Sequence, residues 1–269
     1  MPRMTVNGAE LSFRDEGSGH PVLLLHGWSM SGRFFLRQMA PFAAHHRVLV
    51  PDFRGHGESE KVLSGHTVEQ YAADVHALAE ALGIERPILV GWSMGAMVAY
   101  EYLKLVGDGG AAGIVVVDQG PSDFIWPDYP EGVFSAQDLA QGNKQLQTDQ
   151  AALAREFVDL MLHEPDAETA AWMVSEMLKC PPAIAGSILL DQTIRDDRAT
   201  IAGLRLPTLV IFGEDPKLNN PAAGKWISDQ IPGSVFEVVA ASSHCPFYEQ
   251  ADKFNAIVAR FATSLAANH

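Results

Sequence analysis

The chain has 269 residues, 47% hydrophobic and 19% charged, so it can bury a sizeable core and does not have a disordered composition. Its formal net charge of −14 argues against nucleic acid and anionic membrane surfaces as partners, because both need clustered Lys and Arg. Two cysteines, Cys180 and Cys245, are too few for a disulfide framework and fit a reducing compartment.

The opening residues lack the apolar stretch of a signal peptide, and no window approaches the ~18 apolar residues of a membrane span. The expectation is a cytoplasmic protein with no membrane partner.

In chain order, "VLLLH" (22–26) and "HRVLVPD" (46–52) read as buried strands. Thr67 reads as a helix N-cap, with Gln70 placed for a capping box. Val68, Tyr71, Ala72, Val75, Leu78, Ala79 and Leu82 then recur at helical spacing, and Gly83 supplies the stop. "PILVG" (87–91) is a strand, a helix follows Ser93, and "GIVVVD" (113–118) is another buried strand. The rhythm breaks in the proline- and aromatic-rich "QGPSDFIWPDYPEG", and from about Ser135 to Arg198 the sequence is helical throughout. Alternation resumes with "LPTLVIFG" (206–213), a helical stretch, "VFEVV" (235–239) and an amphipathic helix from about Glu249. Strands alternating with helices imply a parallel sheet covered on both faces, here interrupted by an inserted helical block.

The segment "GWSMG" (91–95) places a serine between two glycines where a strand ends and a helix begins. That is the context of a nucleophile elbow. Ser93 is expected in a strained conformation with its hydroxyl lifted off the sheet edge, and Gly91 and Gly95 leave room for close approach. The N–H of Met94 stands at a helix N-terminus, where it can donate to an oxyanion. Three more motifs follow strands: "HGWSMSG" (26–32), "PDFRGHGES" (51–59) and "SSHCPF" (242–247). In the first, Trp28 can supply a second backbone donor. In the last, His244 lies on the loop after the final strand, where a base could reach Ser93.

This set of motifs, in this order, resembles the α/β-hydrolase superfamily over essentially the whole chain. "HGWSMSGRFF", "DFRGHGES" and "GWSMG" look most like its esterases, lactonases and cofactor-free haloperoxidases (perhydrolases). The resemblance implies a mostly parallel, doubly wound α/β sheet, with a hydrolase core at 1–121 and 199–269 and a helical cap at 122–198. It also makes His26 and His56 loop-shaping residues, leaving His244 as the base. His45, His46, His66, His163 and His269 read as surface residues, and Cys245 as a packing residue.

The carboxylate that should hold the imidazole has two candidates. Most such hydrolases carry it after the penultimate strand in a G-x-x-D pattern, but "GEDP" puts Pro216 at that place and leaves Asp215 one position early. Asp118, ending "GIVVVD", is the alternative. Haloalkane dehalogenases with a displaced acid, zearalenone-lactone hydrolases and cofactor-free quinaldine dioxygenases place the acid on this strand. A carboxylate capping a buried apolar run also needs a partner. Asp118 is favoured narrowly over Asp215.

The expected activity is cleavage of a small ester or lactone through an acyl-enzyme, without cofactor or metal. Ser93, His244 and Asp118 would form the triad, and Trp28 and Met94 the oxyanion hole. Phe124, Trp126 and Trp172, with Met161, Met173 and Met177, are candidates for the substrate pocket, or else the cap's own core. Three alternatives stay open. They are perhydrolase (haloperoxidase-like) activity, a cofactor-free dioxygenase, disfavoured because Trp92 stands where those relatives carry histidine, and a non-catalytic ligand receptor of the same fold.

Overall fold

A computed structural model describes residues 1–266, and the sequence expectation for His269 lies outside the described residues. Strands β1 (Arg3–Val6) and β2 (Ala9–Gly17) form a hairpin that the sequence reading does not assign. Asn7 and Gly8 both have positive φ (47° and 76°), the backbone of a two-residue turn that matches strand twist.

Strand β3 (Pro21–Leu25), helix α1 (Leu36–Ala43), strand β4 (Arg47–Pro51) and helix α2 (Val68–Ala81) follow. At the head of α2, Thr67 Oγ1 accepts from the Gln70 N–H at 3.2 Å, as expected of an N-cap. The return bond of a full capping box is absent, because the Gln70 amide donates to Asp74 instead, at 2.9 Å. Next come β5 (Ile88–Trp92), α3 (Met94–Val106) and β6 (Gly113–Val117), and both strands are buried at every residue.

Four helices then intervene before the sheet resumes: α4 (Ala136–Met161), α5 (Ala167–Met177), α6 (Pro182–Thr193) and α7 (Arg198–Gly203). Ser135 and Asp138 form a reciprocal capping box at the start of α4. That helix breaks at Asp149 (φ −156°), whose carboxylate accepts from the Ala152 N–H at 2.9 Å and so caps the continuing half. The chain closes with β7 (Thr208–Gly213), α8 (Pro221–Gln230), β8 (Val235–Val239), the short α9 (Pro246–Glu249) and α10 (Ala251–Ala266).

The eight strands form one sheet in the order β1-β2-β4-β3-β5-β6-β7-β8. The pairs β1·β2 and β2·β4 are antiparallel, and every later pair is parallel. From β3 the chain moves outward to β4, then returns to the other side of β3 as β5. A reversal of this kind opens a crevice beyond the carboxyl ends of the two central strands. The loops after β3, β5, β6, β7 and β8 all leave from that edge, and α4 and α6 lie over it.

Candidate active site

Ser93 follows the last residue of β5 and caps α3 with φ 54° and ψ −130°, a conformation that costs a non-glycine residue roughly 1–3 kcal/mol. The strain is imposed from both sides. A Cβ on Gly91 would strike the backbone of Ala96, and one on Gly95 would fall inside the carbonyl oxygen of Leu25. The two glycines therefore let α3 start directly against β3. Gly27 plays the same part in the facing loop, since a Cβ there would meet Ser93 Cβ at 3.1 Å. The backbone entering Trp28 thus passes beside the serine. Met94 heads α3, so its N–H has no acceptor within the helix.

His26 ties the facing loop together. Its Nε2 accepts from the Phe53 N–H at 3.1 Å, so the proton sits on Nδ1 and is donated to the Gly27 carbonyl at 2.8 Å. Complete burial lowers its pKa to about 4, which keeps the ring neutral. His56 is buried beside it, donates to the Arg54 carbonyl at 3.0 Å, and is likewise depressed by burial. The loop carrying Trp28 is also pinned from above: Trp28 Nε1 donates to Ala185 O at 2.9 Å, and Ser31 donates to Glu176 at 2.7 Å.

His244 is 2% exposed and lies on the loop between β8 and α9. Its Nδ1–H donates to Asp118 Oδ1 at 2.7 Å. Asp118 stands immediately after β6 with φ 47°, a region that Asp and Asn tolerate better than most residues. Its second oxygen accepts from the Gly213 N–H at 2.9 Å. Asn219 Nδ2 donates to the Asp118 carbonyl at 2.8 Å and reaches Oδ1 at 3.2 Å. The Trp92 indole N–H donates to the His244 carbonyl at 2.8 Å, and its ring packs 5.5 Å from the imidazole. His244 Nε2 is buried and has no hydrogen-bond partner among the described residues. It shares a cavity with the half-buried Ser93.

Asp215 does not reach His244. Its carboxylate instead accepts from His163 Nδ1 at 2.8 Å, and this hydrogen bond raises the His163 pKa. The contact joins the end of α4 to the loop after β7. His163 is therefore a paired residue and not a free surface one. His66 also departs from the surface assignment: it is 6% exposed and bonded to Tyr71 and the Val62 carbonyl. Burial pushes the Cys180 thiol up to about 12 and raises Cys245 well above the ordinary thiol range, so both are protonated packing groups.

The cavity in front of Ser93 and His244 is walled by Trp28, Leu139, Leu153, Phe157 and Leu189, with Gln119, Asp123 and Gln192 at a polar end. Phe124, Trp126 and Trp172 are not among its walls. Phe124 packs at a tilt against Trp126, ring centroids 4.9 Å apart, and the Trp126 indole N–H donates to Ser122 Oγ at 2.9 Å. Trp172 packs on Phe34 and Tyr248. Met161, Met173 and Met177 are buried in the core. These large side chains pack the helical block against itself and, through Trp172, against Phe34 and Tyr248 below it. The lining comes instead from the inner faces of α4 and α6. Asn219, Asp123 and Gln192 are polar members of this region that the sequence reading did not single out.

Ser93 and His244 thus face one cavity at the switch point of such a sheet, with Asp118 bonded to the histidine. The model for the alpha/beta hydrolase family matches residues 22–257, and the chain belongs to that family. A relative in Bacillus subtilis, the AB hydrolase superfamily protein YisY, is 28% identical, with 94% of this chain and 96% of the relative covered. The crystal structure of a bromoperoxidase from Bacillus anthracis is similar, at 25% identity and a TM-score of 0.90, covering 95% of this chain and 96% of that one. A thermophilic esterase from Thermogutta terrifontis is 26% identical with a TM-score of 0.87, covering 98% and 99%.

Proposed function

We propose that the protein is a serine hydrolase that cleaves a small carboxylic ester or lactone through an acyl-enzyme. The observation that carries this reading is the 2.7 Å bond from His244 Nδ1 to Asp118, which leaves Nε2 as the free, basic nitrogen in the cavity shared with Ser93.

Ser93 Oγ attacks the carbonyl carbon as Nε2 takes its proton. Asp118 keeps the imidazole in the Nδ1–H tautomer and stabilises the cation that forms. The N–H groups of Trp28 and Met94 receive the negative charge on the carbonyl oxygen. Each such donor is worth about 2.7–4 kcal/mol of barrier. His244 then protonates the departing alcohol, and in a second half-reaction water, deprotonated by the same nitrogen, releases the acid. The hydrogen bond from Ser93 to Nε2 tightens as substrate binds, as catalytic hydrogen bonds commonly do.

The likeness to a bromoperoxidase supports a second use of the same intermediate, in which hydrogen peroxide replaces water and the product is a peracid. The discriminating experiment mixes purified protein with p-nitrophenyl acetate, with and without peroxide. A stoichiometric burst of nitrophenol, lost in Ser93→Ala, is the expected result. No burst and no turnover across a panel of short esters and lactones would favour a non-catalytic receptor.

A further inference from the structure

The polar end of the cavity has more acceptors than the protein satisfies. Asp123 is 6% exposed and has no Lys or Arg against its carboxylate among the described residues. Among the described residues two amides hold it, with the nearby His244 ring also favouring its charge: Gln119 Nε2 donates to Oδ1 at 2.6 Å, and Gln192 Nε2 approaches Oδ2 at a weak 3.3 Å. An ionised carboxylate offers about four acceptor sites, so roughly half are unused here.

Gln192 is 4% exposed, and its Oε1 has no partner among the described residues. The amide cannot be turned to cure this, because its nitrogen is the group committed to Asp123. Leaving a buried acceptor unpaired forfeits the hydrogen bond it had with water, which destabilises the group. Burial accordingly pushes the Asp123 carboxyl up to about 6. All three side chains line the cavity that holds Ser93 and His244, whose remaining walls are largely apolar. The proton-poor end of an otherwise apolar cavity calls for a donor brought by the ligand.

We infer that this end is a specificity subsite, in which Asp123 and Gln192 accept a hydrogen bond from a hydroxyl or amide N–H on the acyl or ring portion of the substrate. The inference rests on the hydrolase reading above. It makes the preferred substrate a hydroxylated or amide-bearing ester or lactone in place of a plain alkanoate. A hydroxyl or an amide N–H satisfies the same acceptors, and the walls leave the rest of the chain in apolar surroundings.

The test compares p-nitrophenyl hexanoate with its 3-hydroxy and 6-hydroxy derivatives and with p-nitrophenyl 5-acetamidopentanoate. In the wild-type protein, at least one donor-bearing ester should exceed hexanoate in kcat/KM by roughly 10–100-fold. In Gln192→Met and Asp123→Asn that ratio should collapse toward one, whatever happens to the absolute rates. A purely structural role would slow all four esters together and leave the ratio intact, which overturns the inference. So does a wild type with no preference.

Binding separates this from a failure of the hydrolase reading. Calorimetry on Ser93→Ala should show methyl 6-hydroxyhexanoate or methyl 5-acetamidopentanoate binding more tightly than methyl hexanoate. Selective binding without turnover refutes only the hydrolase. Turnover without any donor preference, in rate or in binding, refutes only the subsite.

Discussion

Replacing Asp118 with Asn tests the proposed acid without disturbing the chain path, because Asn, like Asp, tolerates its φ of 47° better than most non-glycine residues. The consequence follows from which neighbours are donors. Gly213 N–H points at Oδ2, and as a backbone group it cannot reverse. The Asn oxygen must therefore take the Oδ2 place, which puts the NH₂ group at Oδ1, facing His244 Nδ1. Two donors cannot face each other there, so the imidazole moves its proton to Nε2 and loses the lone pair that activates Ser93. The only other loss is the long 3.2 Å contact from Asn219, whose 2.8 Å bond to the backbone carbonyl remains. Folding stability should fall by no more than about 1 kcal/mol, while acylation should slow by about 10⁴, as expected of a tautomer defect. Asp215→Asn breaks a partly exposed contact to His163 on the far side of the loop and should change acylation by less than about threefold, the scale of a surface pair. Single-turnover acylation by stopped flow, with circular dichroism to check the fold, decides. A large loss in Asp215→Asn beside a near-normal Asp118→Asn would refute the assignment.

Three further outcomes follow from the packing and charge around the site. Gly95→Ala would drive a methyl group into the Leu25 carbonyl and should cost about 3 kcal/mol or more in urea unfolding; a change below about 0.5 kcal/mol would contradict the close approach of α3 to β3. Asp123 titrates near 6 in the folded protein against 3.8 unfolded, so the folded state keeps this proton to higher pH. Its contribution is therefore fully present below 3.8 and lost as pH rises to about 6, at a cost on the order of 1–3 kcal/mol. Asp123→Asn should flatten that decline in urea midpoints between pH 4 and 7, and an identical pH slope in both proteins would count against it. EDTA should leave ester turnover unchanged, since no three His, Cys, Asp or Glu side chains converge as metal ligands among the described residues; loss of activity on chelation would reopen a metal-dependent reaction.

Much of the sheet could be read directly, because each central strand is a short apolar run closed by a polar or glycine-rich turn. The elbow was legible for the same local reason: Gly91, Ser93 and Gly95 fall at the join of two periodicities, and the constraint they satisfy lies within five residues. The hairpin β1·β2 carried a comparable signal in Asn7-Gly8, but β1 is short and β2 ends in the polar run "RDEG", so neither reads as an apolar run. What spacing alone could not decide was pairing across the fold. Asp118 and His244 are 126 positions apart, and Asn219 is 101 from Asp118, so only the order of strands brings them together. The pocket residues failed for a related reason. Phe124, Trp126 and Trp172 are the conspicuous apolar side chains, but their size suits them to packing the helical block. The cavity is lined by Leu, Phe and amide residues on helix faces that periodicity marks as buried without saying against what.

The account stands or falls on a covalent bond at Ser93. Intact-protein mass spectrometry, on samples mixed with p-nitrophenyl acetate and acid-quenched within the first turnover, reads it directly. The predicted result is one added acetyl group per chain, mapped by peptide digestion to Ser93, lost in Ser93→Ala and accumulated little in Asp118→Asn over the same time. Ester turnover with no acetylated protein, or with the acetyl group on another residue, would contradict it.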